Sequence, residues 1–229
     1  MPQLADAPLP MTIDTATTAG KLIAVAETLM GQRGFSVAMH EIAREAQQAN
    51  KYSVQYHFGS REGLVSAVFA ERARLIFQRR ADLLAIAART RKLRSIAALL
   101  EVIYLPIAEQ VDAAGRHSFA RFWLHYHARP EAGGLHLHPF GDDVAQYEGI
   151  VARMATILRL EPDLVTHQLQ LIGWMFFASV IDRESRDASA GPVPTLPEVI
   201  DNAIALAAPA LSHFAQTRRK LDVDRPHIQ

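Results

Sequence analysis

Between Asn50 and Tyr56 the chain reads Asn-Lys-Tyr-Ser-Val-Gln-Tyr, six hydrogen-bonding side chains around one apolar residue, Val54. These side-chain types suit a nucleic acid. Lys51 and Tyr56 can reach phosphates, and Gln55 can meet base edges, where a glutamine pairs with adenine through two hydrogen bonds. Asn50, Tyr52 and Ser53 stand at the N-terminal end of the segment, the end that enters the groove when such a helix docks. Arg61, at the start of the next helical pattern, suits a phosphate contact that adds salt dependence. His57 and Phe58 read as packing the turn. A helix this short is unstable alone, since isolated helices under about 12 residues are marginal. It needs a scaffold, and its polar surface needs a polar partner. A helix-turn-helix seated in a DNA major groove meets both needs. Short polar helices also occur in many helical proteins without DNA, so pattern alone leaves both readings open.

The scaffold is legible on either side. Ile42, Ala43 and Ala46 form a small apolar face that lets a second helix cross closely, and Gln47 to Asn50 break the period with turn and cap chemistry. Upstream, Leu22, Val25, Ala26, Leu29 and Met30 stripe a helix that stops at Gly34. Downstream, Ser60 caps a long helix whose apolar side carries Leu64, Val65, Val68, Phe69, Leu75 and Ile76. The stretch from about Thr17 to Leu64 resembles the N-terminal domain of the TetR family of transcriptional regulators. The likeness is carried by LIAVAETLMGQRGF, IAREA, NKYSVQYHFGS and REGL, with Tyr56-His57-Phe58 before Arg61-Glu62-x-Leu64 as its most specific part. Two departures stand out. Gln47 occupies a place where members usually carry glycine. Ala38 and Met39 stand where a Ser or Thr usually opens the second helix, which leaves Ser36 as an alternative cap.

Almost every later segment also has helical period, with no convincing β alternation. Helices are expected near Lys92–Ala114 with a bend at Pro106, over Ser118–Ala128, from about Val144 to Leu160, from Pro162 to about Arg186, and from about Glu198 to Lys220. In the last two, Ile172, Met175, Phe176 and Val180, then Ile200, Ala203, Ile204, Ala207, Ala210, Leu211 and Phe214, leave apolar residues on more than one side. One side can pack on the same chain and the other on a second subunit. The resemblance implies the same, a homodimer through the last two long helices. Two recognition helices related by a two-fold axis would then read a palindrome.

A second constellation is aromatic. Phe119, Phe122, Trp123 and Tyr126 come from one run, and with Tyr104, Tyr147, Trp174 and Phe177 they could line an apolar cavity for a small molecule, or make an ordinary core. The resemblance implies a small-molecule effector sensed in the C-terminal domain. Two His-x-His pairs, His125/His127 and His136/His138, invite a metal reading. On a helix, positions i and i+2 point apart, and no carboxylate or cysteine pattern completes a zinc set. No metal or cofactor is expected. There is no G-x-S-x-G, phosphate loop, H-E-x-x-H or dinucleotide fingerprint, and no enzymatic activity is expected.

Composition bounds the rest. The 229 residues have formal net charge +0 and no cysteine, which excludes disulfides and thiolate chemistry and fits a reducing cytoplasm. From Arg61 to Arg94 there are nine Lys or Arg against three acids, read mainly as a solvated helix face after the recognition segment. The first twenty residues lack the basic start and apolar core of a signal peptide. The apolar run at 169–181 is shorter than the roughly 20 residues that span a bilayer, so no membrane segment is expected. The expected protein is all-α: a lead-in without order over 1–14, a three-helix helix-turn-helix domain over 15–60, a helical ligand-binding and dimerisation domain over 61–220, and a flexible tail over 221–229. Its expected role is a cytoplasmic, ligand-responsive regulator, most simply a repressor, binding a double-stranded operator. The alternative is a helical small-molecule-binding protein or cryptic enzyme without specific DNA binding.

Overall fold

The computed structural model describes residues 10–129, 143–186, 189 and 191–223. Among them the chain forms nine helices. Helix α1 (Thr18–Arg33) begins where the Thr17 hydroxyl accepts from the Gly20 amide and ends at Gly34, whose φ of 77° stops the helix. Helix α2 is Met39–Glu45 and α3 is Ser53–Phe58, six residues long. Ile42, Ala43, Ala46 and Val54 are buried against Leu22, Ala26, Leu64 and Val65 in one core. That burial is what stabilises two helices too short to persist alone. Gln47, between α2 and α3, sits at φ 56°, a left-handed conformation that glycine adopts without cost. This is the physical reason a glycine is usual there. Ser36 does not cap α2. Ala38 occupies the cap position and offers no side-chain bond.

Helix α4 (Arg61–Arg89) is the girder of the fold, with Ser60 accepting from the Gly63 amide at its start. Helices α5 (Ile96–Ala108), α6 (Ser118–His127), α7 (Asp143–Leu158), α8 (Pro162–Ser185) and α9 (Leu196–Val223) complete the bundle. Helix α5 is buried almost throughout and stops two residues after Pro106, rather than bending there and running on to Ala114. Helix α8 has the length and apolar composition of a membrane span. Phe176, Phe177, Val180, Leu169 and Val165 are nevertheless buried in the bundle core.

Two expectations change. Residues 10–14 are not without order. The Met11 amide donates to the Glu109 carbonyl at 2.7 Å, the Val111 amide donates to the Met11 carbonyl at 3.0 Å, and Ile13 is buried. The arginines of α4 are also not all a solvated face: Arg74 and Arg89 are exposed, but Arg72, Arg79 and Arg80 are not. Arg72 and Arg80 are buried, Arg79 is held by Glu109 at 2.9 Å, and exposed Arg74 pairs with Glu71. Arg72 is the centre of a polar knot. Its Nε and Nη2 donate to the two Glu27 oxygens at 2.6 and 2.7 Å, and its Nη atoms also reach the Met11 carbonyl, Gln110 and the Val111 carbonyl. The Ser118 hydroxyl donates to the same Glu27. One buried ion pair thus ties α1, α4, the end of α5 and the start of α6.

Candidate nucleic-acid interface

Helix α3 is presented outward by Val54, which is fully buried beneath it. Tyr56 is 84% and Tyr52 62% exposed, an unusual state for tyrosines in a folded chain. Lys51, Gln55 and Asn50 are exposed beside them, with the Lys51 ammonium 5.0 Å from the Tyr52 ring centre. Asn50 lies before the helix, not on it. Its Oδ1 accepts from the Tyr52 amide and its carbonyl from the Ser53 hydroxyl at 2.6 Å. Both bonds hold the turn rather than reach outward. Ser53 is 7% exposed and spent on that bond, so it builds the turn instead of facing a groove.

Arg61 lines the same open groove as Lys51, Tyr52 and Gln55, and part of its guanidinium is also tied to the fold. Its Nη1 donates to the Phe35 carbonyl at 2.7 Å and the Val37 carbonyl at 2.6 Å. The side chain reaches back across the domain and pins the α1–α2 turn. Replacing Arg61 by alanine is therefore expected to lower stability by about 1.5–3 kcal/mol, the scale of hydrogen bonds to a charged group. The salt slope of DNA binding should stay as in the parent. Urea denaturation and a salt titration check the two parts, and a slope smaller by about one ion would put Arg61 in contact with a phosphate.

The pattern around Val54 passed over α2. The open groove, of about 830 Å³, runs between α2 and α3, lined by His40, Arg44, Gln48, Lys51, Tyr52 and Gln55 among others. His40 and Arg44 are one turn apart on the exposed side of α2. Their signal in the sequence was their i, i+4 spacing opposite Ile42, Ala43 and Ala46. The groove wall thus carries Arg44 and Lys51 with amides and tyrosines between them, a mixture suited to phosphates flanking base edges. Of α2 and α3, this face is the one that projects from the packed domain.

Residues 22–68 match a family model described as bacterial regulatory proteins, tetR family. The N-terminal domain is that of a TetR-family transcriptional regulator. No curated protein matches the chain. The TetR-family match runs from Leu22 in α1 through the recognition segment to Val68 in α4, and so spans the elements that form the groove.

The aromatic residues expected around a cavity divide into separate groups. Phe119, Phe122 and Tyr126 turn toward the TetR-family domain and α4. Phe122 lies 5.1 Å from Phe35 and 5.2 Å from Phe69, Tyr126 lies 4.8 Å from Phe69, and Arg129 stacks on Phe35 and Tyr126. Trp123 faces the other way, 4.5 Å from Phe177 and 5.6 Å from Trp174. Tyr104 is buried and donates to the Leu169 carbonyl at 2.6 Å, and burial pushes its phenol well above its ordinary range. Tyr147 lies under the Arg80 guanidinium. Phe119, Phe122 and Tyr126 therefore lie at the junction between domain and core, on a different side of α6 from Trp123. A glycine makes this junction possible. A Cβ on Gly31 would come within 2.9 Å of the Ser118 carbonyl and 3.0 Å of the Phe122 amide, so α1 and α6 cross at backbone contact.

The start of α6 is also clamped to α8. Glu184 accepts from the His117 backbone amide, pairs with the His117 ring and accepts from Arg121 at 3.0 Å. Burial opposes its ionisation, but the His117 bonds, the His117 charge and Arg121 outweigh it and hold the carboxyl at about 2 instead of 4.5. A depressed carboxylate stabilises the fold fully above its unfolded value and loses that contribution as pH falls through the folded one. Stability is expected to drop between about pH 4.5 and 2. Glu184→Gln should lower stability at neutral pH and flatten that acid limb. Thermal melts across this range check it, and an unchanged limb would remove Glu184 as the cause. His127 stacks on Trp123 at 3.9 Å and His125 is exposed. His136 and His138 lie outside the described residues. Among those described, no group of three or more His, Asp or Glu is placed to hold a metal.

Proposed function

We propose that the protein is a repressor that binds a palindromic operator as a homodimer and is released by a small apolar or aromatic effector. The observation that carries the reading is the exposed pair of tyrosines flanked by Lys51, Gln55 and Arg44 on a short helix whose underside is locked by Val54. Rigid placement is what a groove-reading helix needs, because base contacts tolerate little displacement. The proposed DNA contacts are Lys51, Tyr52, Gln55 and Tyr56, joined by His40 and Arg44, with Asn50 and Ser53 shaping the turn.

The dimer reading rests on an exposed apolar stripe. Leu171, Met175 and Ala178 are exposed along α8, and Leu206 is exposed on α9 across the groove from Met175 and Ala178. Leu206 is 66% exposed, which is costly unless covered. A second copy docking α8 and α9 would cover it and set two recognition helices about one two-fold axis.

The effector reading follows from α6. One face of α6 carries Phe122 and Tyr126 onto Phe35 and Phe69, and the other carries Trp123 onto α8. A molecule that displaced Trp123 or Trp174 would bias the α1–α6 crossing. DNA affinity would then change by that molecule's differential affinity for the two arrangements and no more. On this reading the protein works in the cytoplasm, beside the DNA, and not as an enzyme. A mobility-shift titration with the region upstream of its own gene, against an unrelated duplex, tests it. Preference for one duplex that is lost in Tyr56→Ala and Lys51→Ala supports the reading. Equal binding to all duplexes would replace it with a nonspecific role. No binding would favour a helical small-molecule-binding protein, a reading that the bare Ala38 cap of α2 keeps in play.

A further inference from the structure

Residues 10–17 connect two parts of the molecule that the long helix α4 already joins. At one end, Met11 forms an isolated parallel bridge with Gln110 at the end of α5. The bridge is made by backbone bonds on both sides of Met11, and the Gln110 amide also contacts the Met11 sulfur at 3.4 Å. At the other end, Thr17 caps the first turn of α1, the helix that carries the DNA-binding unit, and Asp14 accepts from the Ala16 amide just before it. Between them the Met11 carbonyl accepts from Arg72, the same guanidinium that grips Glu27 of α1. The segment therefore runs from the core to the DNA-binding unit and touches the ion pair that fixes α1 on α4.

Its attachment is slight by comparison with what it bridges. Ile13 is its one buried apolar side chain, and Thr12, Asp14, Thr15 and Ala16 are exposed. Its outer side borders an open cleft of about 710 Å³, where Thr12, Ile13 and Thr15 face Gln47 of the recognition turn and Ala113 and Ala114 of the α5–α6 turn. Segments held by few apolar contacts open at low free energy while the core stays closed.

We propose that residues 11–14 are a strap that holds the DNA-binding unit in one orientation on the core, and that its release lowers DNA affinity without unfolding the protein. The affinity part rests on the regulatory reading above, whereas the orientation part does not. With the strap bound, α1 is fixed to the core at Met11, at Glu27 and at the Gly31 crossing. With it free, Arg72 loses one acceptor and α1 loses its N-terminal tether, so more orientations are sampled. Apparent affinity falls by the fraction that remains competent.

A single methyl group offers a specific probe. A Cβ on Gly20 would stand 2.0 Å from the Asp14 carbonyl oxygen. Gly20→Ala must therefore push the strap off α1, although alanine is the better helix former. The test uses the full chain, a deletion of residues 2–13, Gly20→Ala, and Thr12→Ala as an exposed control. Hydrogen exchange by mass spectrometry should show about tenfold faster exchange in α1 and the middle of α4 for the deletion and Gly20→Ala, with α7 to α9 unchanged. Affinity for the duplex upstream of the gene should fall by about tenfold in the same two variants, and Thr12→Ala should match the parent. Parent-like exchange in the deletion and in Gly20→Ala would overturn the strap. So would equal loss of protection in α7 to α9, which would make the segment a part of global stability. If the parent binds no DNA selectively, the regulatory reading fails while the exchange result still decides the strap.

Discussion

Replacing Arg72 by methionine is expected to cost about 3–5 kcal/mol of folding stability, the scale of a buried ion pair broken on one side. The guanidinium and its partner Glu27 are each about 1% exposed. Removing the cation leaves the Glu27 carboxylate buried with the Ser118 hydroxyl as its remaining donor among the bonds described above, and leaves the Met11 and Val111 carbonyls and Gln110 short of a donor. A typical domain is stable by about 5–15 kcal/mol, so this one change can consume a large share of the margin. The double change Glu27→Leu with Arg72→Met should cost less than the single one, because no uncompensated charge stays behind. Urea denaturation followed by circular dichroism checks both. A single-variant cost under about 1 kcal/mol would mean that the pair is solvated in solution.

Phe122→Ala should be nearly as damaging, at about 3–5 kcal/mol. Its ring is fully buried and touches Phe35 of the α1–α2 turn, Phe69 of α4 and Phe119 of its own helix. Truncation opens a void at the junction, and packed interiors collapse into such voids only in part. Phe122→Leu should recover much of the loss. If Phe122 lined an effector cavity instead, one wall would already be open and truncation would cost well under 2 kcal/mol. Equilibrium unfolding distinguishes the two. Hydrogen exchange adds a spatial readout, since loosening should be greatest in α1 and α6.

Both results bear on what a linear reading can reach. The helices around the recognition segment were legible because their determinants are local: Ser60 as a cap, Gly34 as a stop, and apolar spacing in α1 and α4. Val54 was legible as the buried member of α3 because its neighbours are all polar. Arg61 and Ser53 make fold-holding bonds that the sequence did not show, for a common reason. Each is the right type for a phosphate contact, but its bonding partners are set by folding: Arg61 finds carbonyls 24 and 26 residues away, and Ser53 finds the carbonyl of Asn50. Arg72 and Arg79 of α4 were misread in the same way. A run of arginine reads as a solvated face until Glu27, 45 residues from Arg72, and Glu109, 30 residues from Arg79, are brought beside it.

The aromatic run shows the limit most directly. Side chains at successive helical positions point to different sides, so Phe122 and Trp123 had to diverge. Which side met the DNA-binding unit and which met α8 depends on how α6 crosses α1, and Gly31 decides that crossing by permitting backbone contact.

By itself the sequence determined that the chain is helical, where α1 stops and α4 starts, and which short segment presents polar side chains outward, because caps, glycine stops and apolar period act over a few residues. Only the tertiary structure decided which charged and aromatic groups are interior, that α2 lends His40 and Arg44 to the groove, and that Met11 ties the lead-in to α5. Those outcomes depend on groups far apart in the chain meeting in a low-dielectric interior, where an arginine is tolerated only beside the partner that folding supplies.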